Sequence, residues 1–407
     1  MTERLYYTDS HLTEFEARVT GITERVSGWV AVTLDRTAFY PTGGGQASDT
    51  GTLNETRVVE CIDAEAQGVL HIVQGRGLEV GARVTGRVDW PRRLDHIQQH
   101  TGQHILSQAF IALFDAETRG FRMLEQYCEL DVALEEPSDE KVEQAVELAN
   151  SIIWEDRAVT VRQVTKEEAA GLNLRKESER EGELRLIEIE GFDLTPCGGT
   201  HARRTGEVGI ICVRSFERAK GLTRVEFVAG GRALADYRRA NRTARSVAGF
   251  FSTARDEGPA AVARMLEENK QLTRRVRALE EVAARVEAED LLGGAEQLAD
   301  GARLCTRVFE GRDAESLKKL AQSLVAHAQT IALLGSSDGD AARLVFARSA
   351  DAPGDMSALL REACGLLDGR GGGRPEMAQG GGRHVEKLDE AIEAAASSLR
   401  QNSSGHS

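Results

Sequence analysis

The chain has 407 residues, 41% of them hydrophobic, and a net charge of −14, which is room for two or three packed domains. No stretch approaches the roughly 20 apolar residues of a membrane helix, and the polar, acidic N-terminus MTERLYYTDSHLTEFE is unlike a secretory leader. Six cysteines spread along the chain argue against a disulfide framework and for a reducing, cytoplasmic setting. The acidic surplus argues against loose adhesion to nucleic acid, although a shape-specific RNA can still be met through local basic patches. Such patches occur at Arg203-Arg204, at Arg238-Arg239 with Arg242 and Arg245, and at Arg274-Arg275 with Arg277.

In chain order, residues 1–90 read as β-rich. Alternating runs such as Trp29-Val30-Ala31-Val32-Thr33-Leu34 and Val69-Leu70-His71-Ile72-Val73 lie between glycine turns, as in short antiparallel strands. Pro91 marks a boundary. Beyond it Leu94, Ile97, Ile105, Leu106 and Phe110 recur at helical spacing, predicting a helix over about 93–114. A second helix is predicted over 138–154, with Ser138 as N-cap and Asp139 and Glu140 in its first turn. Strands are expected at 159–164, 185–189, 208–214 and 224–228. Over 259–290, Val262, Met265, Asn269, Leu272, Val276, Leu279, Ala283 and Val286 take the a and d positions of a heptad, as in a coiled coil. A hairpin within the chain and a two-chain zipper both satisfy that pattern. From 300 to 400 an α/β pattern returns, with strands near 304–309, 330–334 and 343–347 and helices over 313–328, 355–367 and 384–399. Between the last two helices lies a glycine-rich stretch, 369–383, whose composition reads as a loop. Residues after 400 are expected to fray.

Three motifs carry chemistry. His96, His100 and His104 follow one another at i, i+4 spacing, so a helix sets them on one face about 6 Å apart per step. Neighbouring members can share one metal ion; His96 and His104, roughly 12 Å apart, cannot. Cys197 and His201 follow in Thr195-Pro-Cys-Gly-Gly-Thr-His201, where the proline and glycines imply a loop. Two helical histidines with this cysteine and histidine make three nitrogens and one sulfur, a set suited to tetrahedral zinc. The third motif, Phe39-Tyr-Pro-Thr-Gly-Gly-Gly-Gln46-Ala-Ser-Asp-Thr-Gly51, reads either as a glycine-rich hairpin loop or as a loop that brings its amides and Gln46 close to a small polar ligand.

Together these motifs resemble the editing region of alanyl-tRNA synthetases and the free-standing AlaX-type trans-editing proteins. FYPTGGGQASDTG resembles the family's β-domain signature, HTGQH its first zinc half-site, and GFDLTPCGGTH with TGEVG and RVEF its second. GRGGGRPEMAQGGG resembles the glycine-rich motif of the synthetases' C-terminal RNA-binding domain. The resemblance implies an α+β multidomain fold: an N-terminal β-barrel-like domain (1–90), an α+β zinc editing domain (91–245), a coiled-coil stalk (246–295) and an α/β C-terminal domain for RNA binding or dimerisation (296–407). It assigns one zinc ion to His100, His104, Cys197 and His201 and leaves out His96. Because the chain begins almost at the editing β-domain, no aminoacylation activity is expected.

The implied activity is hydrolysis of an aminoacyl ester on tRNA(Ala) charged with serine, and also with glycine, by a zinc-dependent hydrolase. A site sized for alanine admits both neighbours to some degree, so a second, hydrolytic sieve is useful. Gln46, Thr42, Gln103, Thr118 and Asp193 are the expected substrate-side residues. Gln103 departs from the more frequent HTATH form of the motif, and Asp193 is placed to orient a metal ligand. Arg370, Gly372, Arg374, Gly381 and Arg383 are the expected RNA contacts. Four protein ligands close a zinc that catalysis normally keeps open, so ligand displacement, five-coordination and substrate positioning all remain open. A non-catalytic tRNA-binding protein with structural zinc is the alternative. A threonyl-type editing hydrolase shares the His/Cys-His layout, but CGGTH, the GGGQ loop and GRPEMAQGGG argue for alanine. A homodimer through the coiled coil or the C-terminal domain is also expected.

Overall fold

Alternation in the first 90 residues is resolved by closure of a sheet. The computed structural model describes residues 2–25, 28–75, 77–176 and 182–404, and it divides into two units, Met1–Phe250 and Phe251–Ser407. In the first unit, six antiparallel strands close a barrel in the order Glu14–Glu24, Trp29–Leu34, Val69–Gln74, Thr56–Asp63, Gly51–Leu53, Arg83–Val88. Inward residues such as Val19, Val32, Leu34, Phe39, Leu53 and Val58 fill it, and closure removes the sheet edges.

Helix α1 (Trp90–Phe114) leaves the barrel with Pro91 in its first turn, where a missing N–H is harmless, and ends at Asp115 in the left-handed region. Helix α2 (Asp139–Trp154) is capped by Ser138, whose hydroxyl accepts the Lys141 amide. A short helix α3 (Lys166–Ala170) carries a Thr165–Glu168 capping box. Ile105, Leu106, Ala109 and Phe110 of α1 pack with Ile152 of α2 and with Leu130, Val225 and Phe227 of a four-stranded antiparallel sheet. Its strand order is Ile211–Ala219, Leu222–Ala229, Cys128–Val132, Thr118–Met123. At about 1.5–3 kcal/mol per buried large side chain, this cluster fixes α1 against the sheet. A second, three-stranded sheet runs Val159–Val164, Leu184–Ile189, Asp193–Pro196, and helix α4 (Gly230–Phe250) ends the unit.

Between barrel and helix stands a buried ion pair. Arg93 and Asp49 are fully enclosed; Arg93 Nε donates to Asp49 at 3.0 Å, and its other nitrogens reach the carbonyls of Ser10 (2.7 Å) and Ala38 (2.6 Å). All three guanidinium nitrogens thereby have an acceptor, as a buried charge requires. The pair clamps the loop of residues 38–51 onto the start of α1.

In the second unit, helix α5 (Gly258–Gly293) is one uninterrupted helix of 36 residues, about 54 Å long at 1.5 Å per residue. Met265, Leu272, Val276, Leu279 and Val286 stand exposed along it. Helices α6 (Ala314–Val325), α7 (Met356–Leu366) and α8 (Leu388–Ser404) cover a six-stranded sheet. Its order is Glu296–Gln297, Arg303–Glu310, Thr330–Ser337, Ala342–Arg348, Met377–Gly382, Arg370–Arg374. Contrary to the loop expected from composition, the glycine-rich stretch forms the last two strands, paired from Arg370↔Gly381 to Arg374↔Met377. Its glycines answer crowding: a Cβ on Gly380 would lie 2.5 Å from Gly371 Cα and 2.7 Å from Cys364 Sγ. Helix α8 continues to Ser404, and of the residues after 400 that are expected to fray, 405–407 lie outside the described part. Among the described residues no helix is long and apolar enough to cross a membrane.

Candidate metal centre

Helix periodicity places His100 and His104 on the buried face of α1. The chain returns to them after the Asp193–Pro196 strand, where Cys197 and His201 project from the loop that follows. One donor atom from each of His100, His104, Cys197 and His201 lies within 4.8 Å of all the others. Cys197 Sγ is 3.4 Å from His100 Nε2 and 3.3 Å from His201 Nε2. Tetrahedral zinc, with Zn–S about 2.3 Å and Zn–N about 2.05 Å, sets sulfur and nitrogen about 3.6 Å apart. The donor set therefore fits the ion with only a small outward movement.

Each imidazole is held by its other nitrogen. His100 Nδ1 lies 2.8 Å from Gln46 Oε1 and His104 Nδ1 lies 3.2 Å from Asp193 Oδ2. Both partners accept, so each Nδ1 carries a proton, and a metal at the centre would take the Nε2 side of each ring. His201 Nδ1 lies 3.3 Å from Thr101 Oγ1, which also accepts the Ala202 amide at 3.0 Å. Gln46 is itself pinned, donating to Thr200 Oγ1 at 2.9 Å. Asp193 accepts a second bond, 2.7 Å long, from Arg175 Nε. Gly199 gives the loop its clearance, since a Cβ there would lie 2.1 Å from His100 Cε1.

The electrostatics agree with this arrangement. Burial opposes charge on Cys197, but His100 and His201 beside it overcome that penalty and hold the thiol well below its usual range. Burial pushes the His201 imidazole well down, outweighing Cys197, so it is neutral. Burial also opposes charge on Asp193, and His104 and Arg175 reverse it and keep the carboxyl ionised. Cys197 is thus held as a thiolate and His201 as a neutral imidazole, the forms a metal takes. Burial opposes charge on His104, and the hydrogen bonds to Asp193 and Cys197 overcome it and raise that ring above its usual value. His96 is buried on α1 with Nδ1 lacking a partner among the described residues, and burial lowers it to about 4; it does not join the cluster.

Above the centre opens a groove of about 1020 Å³. Among its walls are Tyr7, His100, Gln103, His104, Thr118 and Cys197. Gln103 Nε2 and Thr118 Oγ1 both donate to Ser107 Oγ, at 2.7 and 2.8 Å. Gln46 and Asp193 sit behind the ligands rather than in the groove wall. Thr42 is exposed, accepts the Ser48 amide at 3.2 Å, and does not line the groove. Three residues with parts in this centre escape a reading of spacing. Thr101 sits between two ligands as an ordinary helical threonine, Arg175 lies in an irregular segment, and Arg185 donates to the Cys197 carbonyl at 2.6 Å from a strand. Only the intervening position of Thr101 in HTGQH offered a signal.

In the second unit, Arg370, Gly372 and Arg374 are exposed on the edge strand. A Cβ on Gly381 would meet the Ala342 carbonyl at 2.1 Å, and Arg383 pairs with Asp368 at 2.7 Å.

Comparison with known proteins places three segments. Residues 3–92 match the model of class II (A) tRNA synthetases, residues 184–226 the threonyl and alanyl tRNA synthetase second additional domain, and residues 301–401 the DHHA1 domain. The alanyl-tRNA editing protein AlaX-L of Pyrococcus horikoshii is 33% identical over 99% of this chain and 99% of its own length. The alanine–tRNA ligase of Methanothrix thermoacetophila is 33% identical over 98% of this chain, which spans 44% of that protein. The ligase of Natronomonas pharaonis is 34% identical over 98% of this chain and 44% of its own length.

Proposed function

Because the chain belongs to the family of the alanyl-tRNA editing protein AlaX-L, we propose that it is a trans-editing hydrolase. It cuts the ester that joins serine, and also glycine, to the 3′-terminal adenosine of tRNA(Ala). The observation that carries this reading is the four-residue donor cluster at the floor of a groove of about 1020 Å³, a volume at the upper end of small-molecule sites and suited to an aminoacylated nucleoside.

The proposed ion is zinc, one per chain, held by His100, His104, Cys197 and His201. Held by these four residues, the ion would supply Lewis-acid chemistry, polarising the ester carbonyl and, where a coordination position opens, making a water more acidic. The residues of the chain orient the centre and the substrate. Gln46, Thr101 and Asp193 fix the three rings, and Arg185 fixes the Cys197 carbonyl. Gln103 and Thr118 each donate one hydrogen bond to Ser107, and the Gln103 side-chain oxygen is left to accept the hydroxyl of a seryl group. Alanine has no hydroxyl to offer, so correct Ala-tRNA(Ala) gains nothing there. Replacing Gln103 with leucine and Thr118 with valine together is expected to erase the serine preference.

The exposed edge strand with Arg370, Gly372 and Arg374, together with Arg383 and Gly381 beside it, is the proposed RNA contact of the C-terminal unit. The exposed a/d stripe of α5 is the proposed coiled-coil seam of a homodimer, in a chain that works in the cytoplasm. One observation favours a second reading: four protein donors so close together can close a zinc site, as in a tRNA-binding protein with structural zinc. Deacylation of Ser-tRNA(Ala) and Ala-tRNA(Ala) by the purified protein separates the two. Loss of serine with sparing of alanine supports the hydrolase. Zinc bound without turnover of either ester supports the structural reading.

A further inference from the structure

Helix α4 carries five arginines and one acidic residue over 21 positions, in a chain whose net charge is −14. Two of the arginines are spent within the fold. Arg232 pairs with Asp95 at 2.6 Å, and Arg239 pairs with Asp236; the same Asp236 also meets Arg214 at 3.2 Å. Arg238, Arg242 and Arg245 remain. Among the described residues none of the three makes an ion pair or hydrogen bond, and all three are exposed. Their spacing, i, i+4 and i+7, puts them on one face, over about 10 Å of axis at 1.5 Å per residue. Leu234, 49% exposed, and Tyr237, 58% exposed, flank that stripe. Three like charges in a line, without an ion-pair partner among the described residues, leave a positive face open to an anion.

The root of α4 touches the end of a strand that walls the groove. Arg232 Nη1 donates to the Leu124 carbonyl at 2.6 Å, and Leu124 directly follows the Thr118–Met123 strand whose first residues wall the groove. The strand spans about 17 Å at 3.4 Å per residue. The three guanidiniums begin about 9 Å farther along α4. An RNA whose 3′ end enters the groove brings a polyanionic stem out over the surface nearby. An acidic protein attracts that stem only where it gathers positive charge.

We propose that the Arg238–Arg242–Arg245 face of α4 is a phosphate track for the RNA duplex adjoining the 3′ end in the groove. The proposal rests on the tRNA reading of that groove. Contacts of this kind position a duplex without reading its sequence. The three arginines hold the stem in line so that the terminal ester reaches the metal centre.

The test compares the full chain with a triple variant, Arg238→Gln, Arg242→Gln and Arg245→Gln, and with the corresponding triple lysine variant. The probe is a fluorescent RNA hairpin carrying the acceptor stem and 3′ end, followed by anisotropy across a salt series. The glutamine variant is expected to bind roughly tenfold or more weakly at about 0.1 M salt. Its log–log salt slope is expected to fall by about 3, near 1 for each lost phosphate contact. Lysines keep point charges on the same face and are expected to retain most of the slope. With Ser-tRNA(Ala), KM is expected to rise in the glutamine variant while kcat holds. Equal affinity and slope in wild type and glutamine variant overturn the proposal and leave the editing reading standing. A wild-type protein that binds no RNA overturns both. Glutamine is a good helix former and all three positions are exposed, so circular dichroism should show the helix intact.

Discussion

Replacing Asp193 with asparagine asks whether the metal centre depends on the residue behind it. The carboxylate accepts from two donors at once, His104 Nδ1 at 3.2 Å and Arg175 Nε at 2.7 Å, and its side chain is fully enclosed. Asparagine has one acceptor oxygen and one NH2 group, so it serves only one of these donors and points a hydrogen at the other. The shorter, charged contact to Arg175 wins that competition, and His104 loses the acceptor that sets its tautomer. Loss of such an orienting partner typically costs 10–100-fold in metal affinity, or about 1.4–2.7 kcal/mol. Asp193→Ala is harsher, because it leaves Arg175 buried without its anion, and breaking a buried pair this way costs about 3–5 kcal/mol of stability. The assay is competition for zinc between the protein and a chelating dye, with thermal melts beside it. Zinc affinity unchanged within about twofold in a folded Asp193→Asn protein would refute the reasoning.

Other outcomes test separate parts of the structure. Gly199→Ala places a Cβ 2.1 Å from His100 Cε1, so zinc binding should fail while the barrel keeps its melting temperature, as a metal assay beside calorimetry will show. His71 lies wholly inside the barrel, between Thr37 Oγ1 (2.8 Å) and the Val32 carbonyl (3.0 Å), and burial lowers it to about 4. Its neutral form is the folded form, so its contribution is full above pH about 6.5 and is lost as pH falls toward 4, up to about 3 kcal/mol. Urea melts of wild type and His71→Gln between pH 7 and 4 should converge as the acid limit nears; parallel curves would show that His71 does not titrate on unfolding. Leu272 and Leu279 stand exposed on α5, and their joint change to aspartate should turn a dimer into monomers in sedimentation. Wild type sedimenting as a monomer would remove the seam.

Much of the centre was legible because its physics is local. The i, i+4 step of His100 and His104 is a property of any helix, and Pro196 with Gly198 and Gly199 forces a loop wherever it occurs. Selecting that pair over His96 and His100 took the resemblance, since spacing alone allowed both. The supporting residues were less readable. Asp193 stood out by nearness to Cys197, while Gln46 reaches His100 from 54 positions away only because Arg93 and Asp49 clamp its loop onto α1. That ion pair has no periodic signature. Thr42 was expected on the substrate side as a polar residue, yet the turn that aims Gln46 inward leaves Thr42 exposed. The 369–383 stretch was misread because glycine lowers strand propensity on average. Here neighbouring strands and Cys364 leave no room for a Cβ, and the ladder's hydrogen bonds outweigh that preference.

The most direct test removes the metal. Protein stripped by a chelator is titrated with zinc while release of serine from Ser-tRNA(Ala) is followed at each step. The expected result is negligible hydrolysis in the stripped protein and activity that rises to a plateau at about one zinc per chain, with Ala-tRNA(Ala) spared throughout. Full deacylation by a folded, zinc-free protein would contradict a metal-dependent editing site at His100, His104, Cys197 and His201.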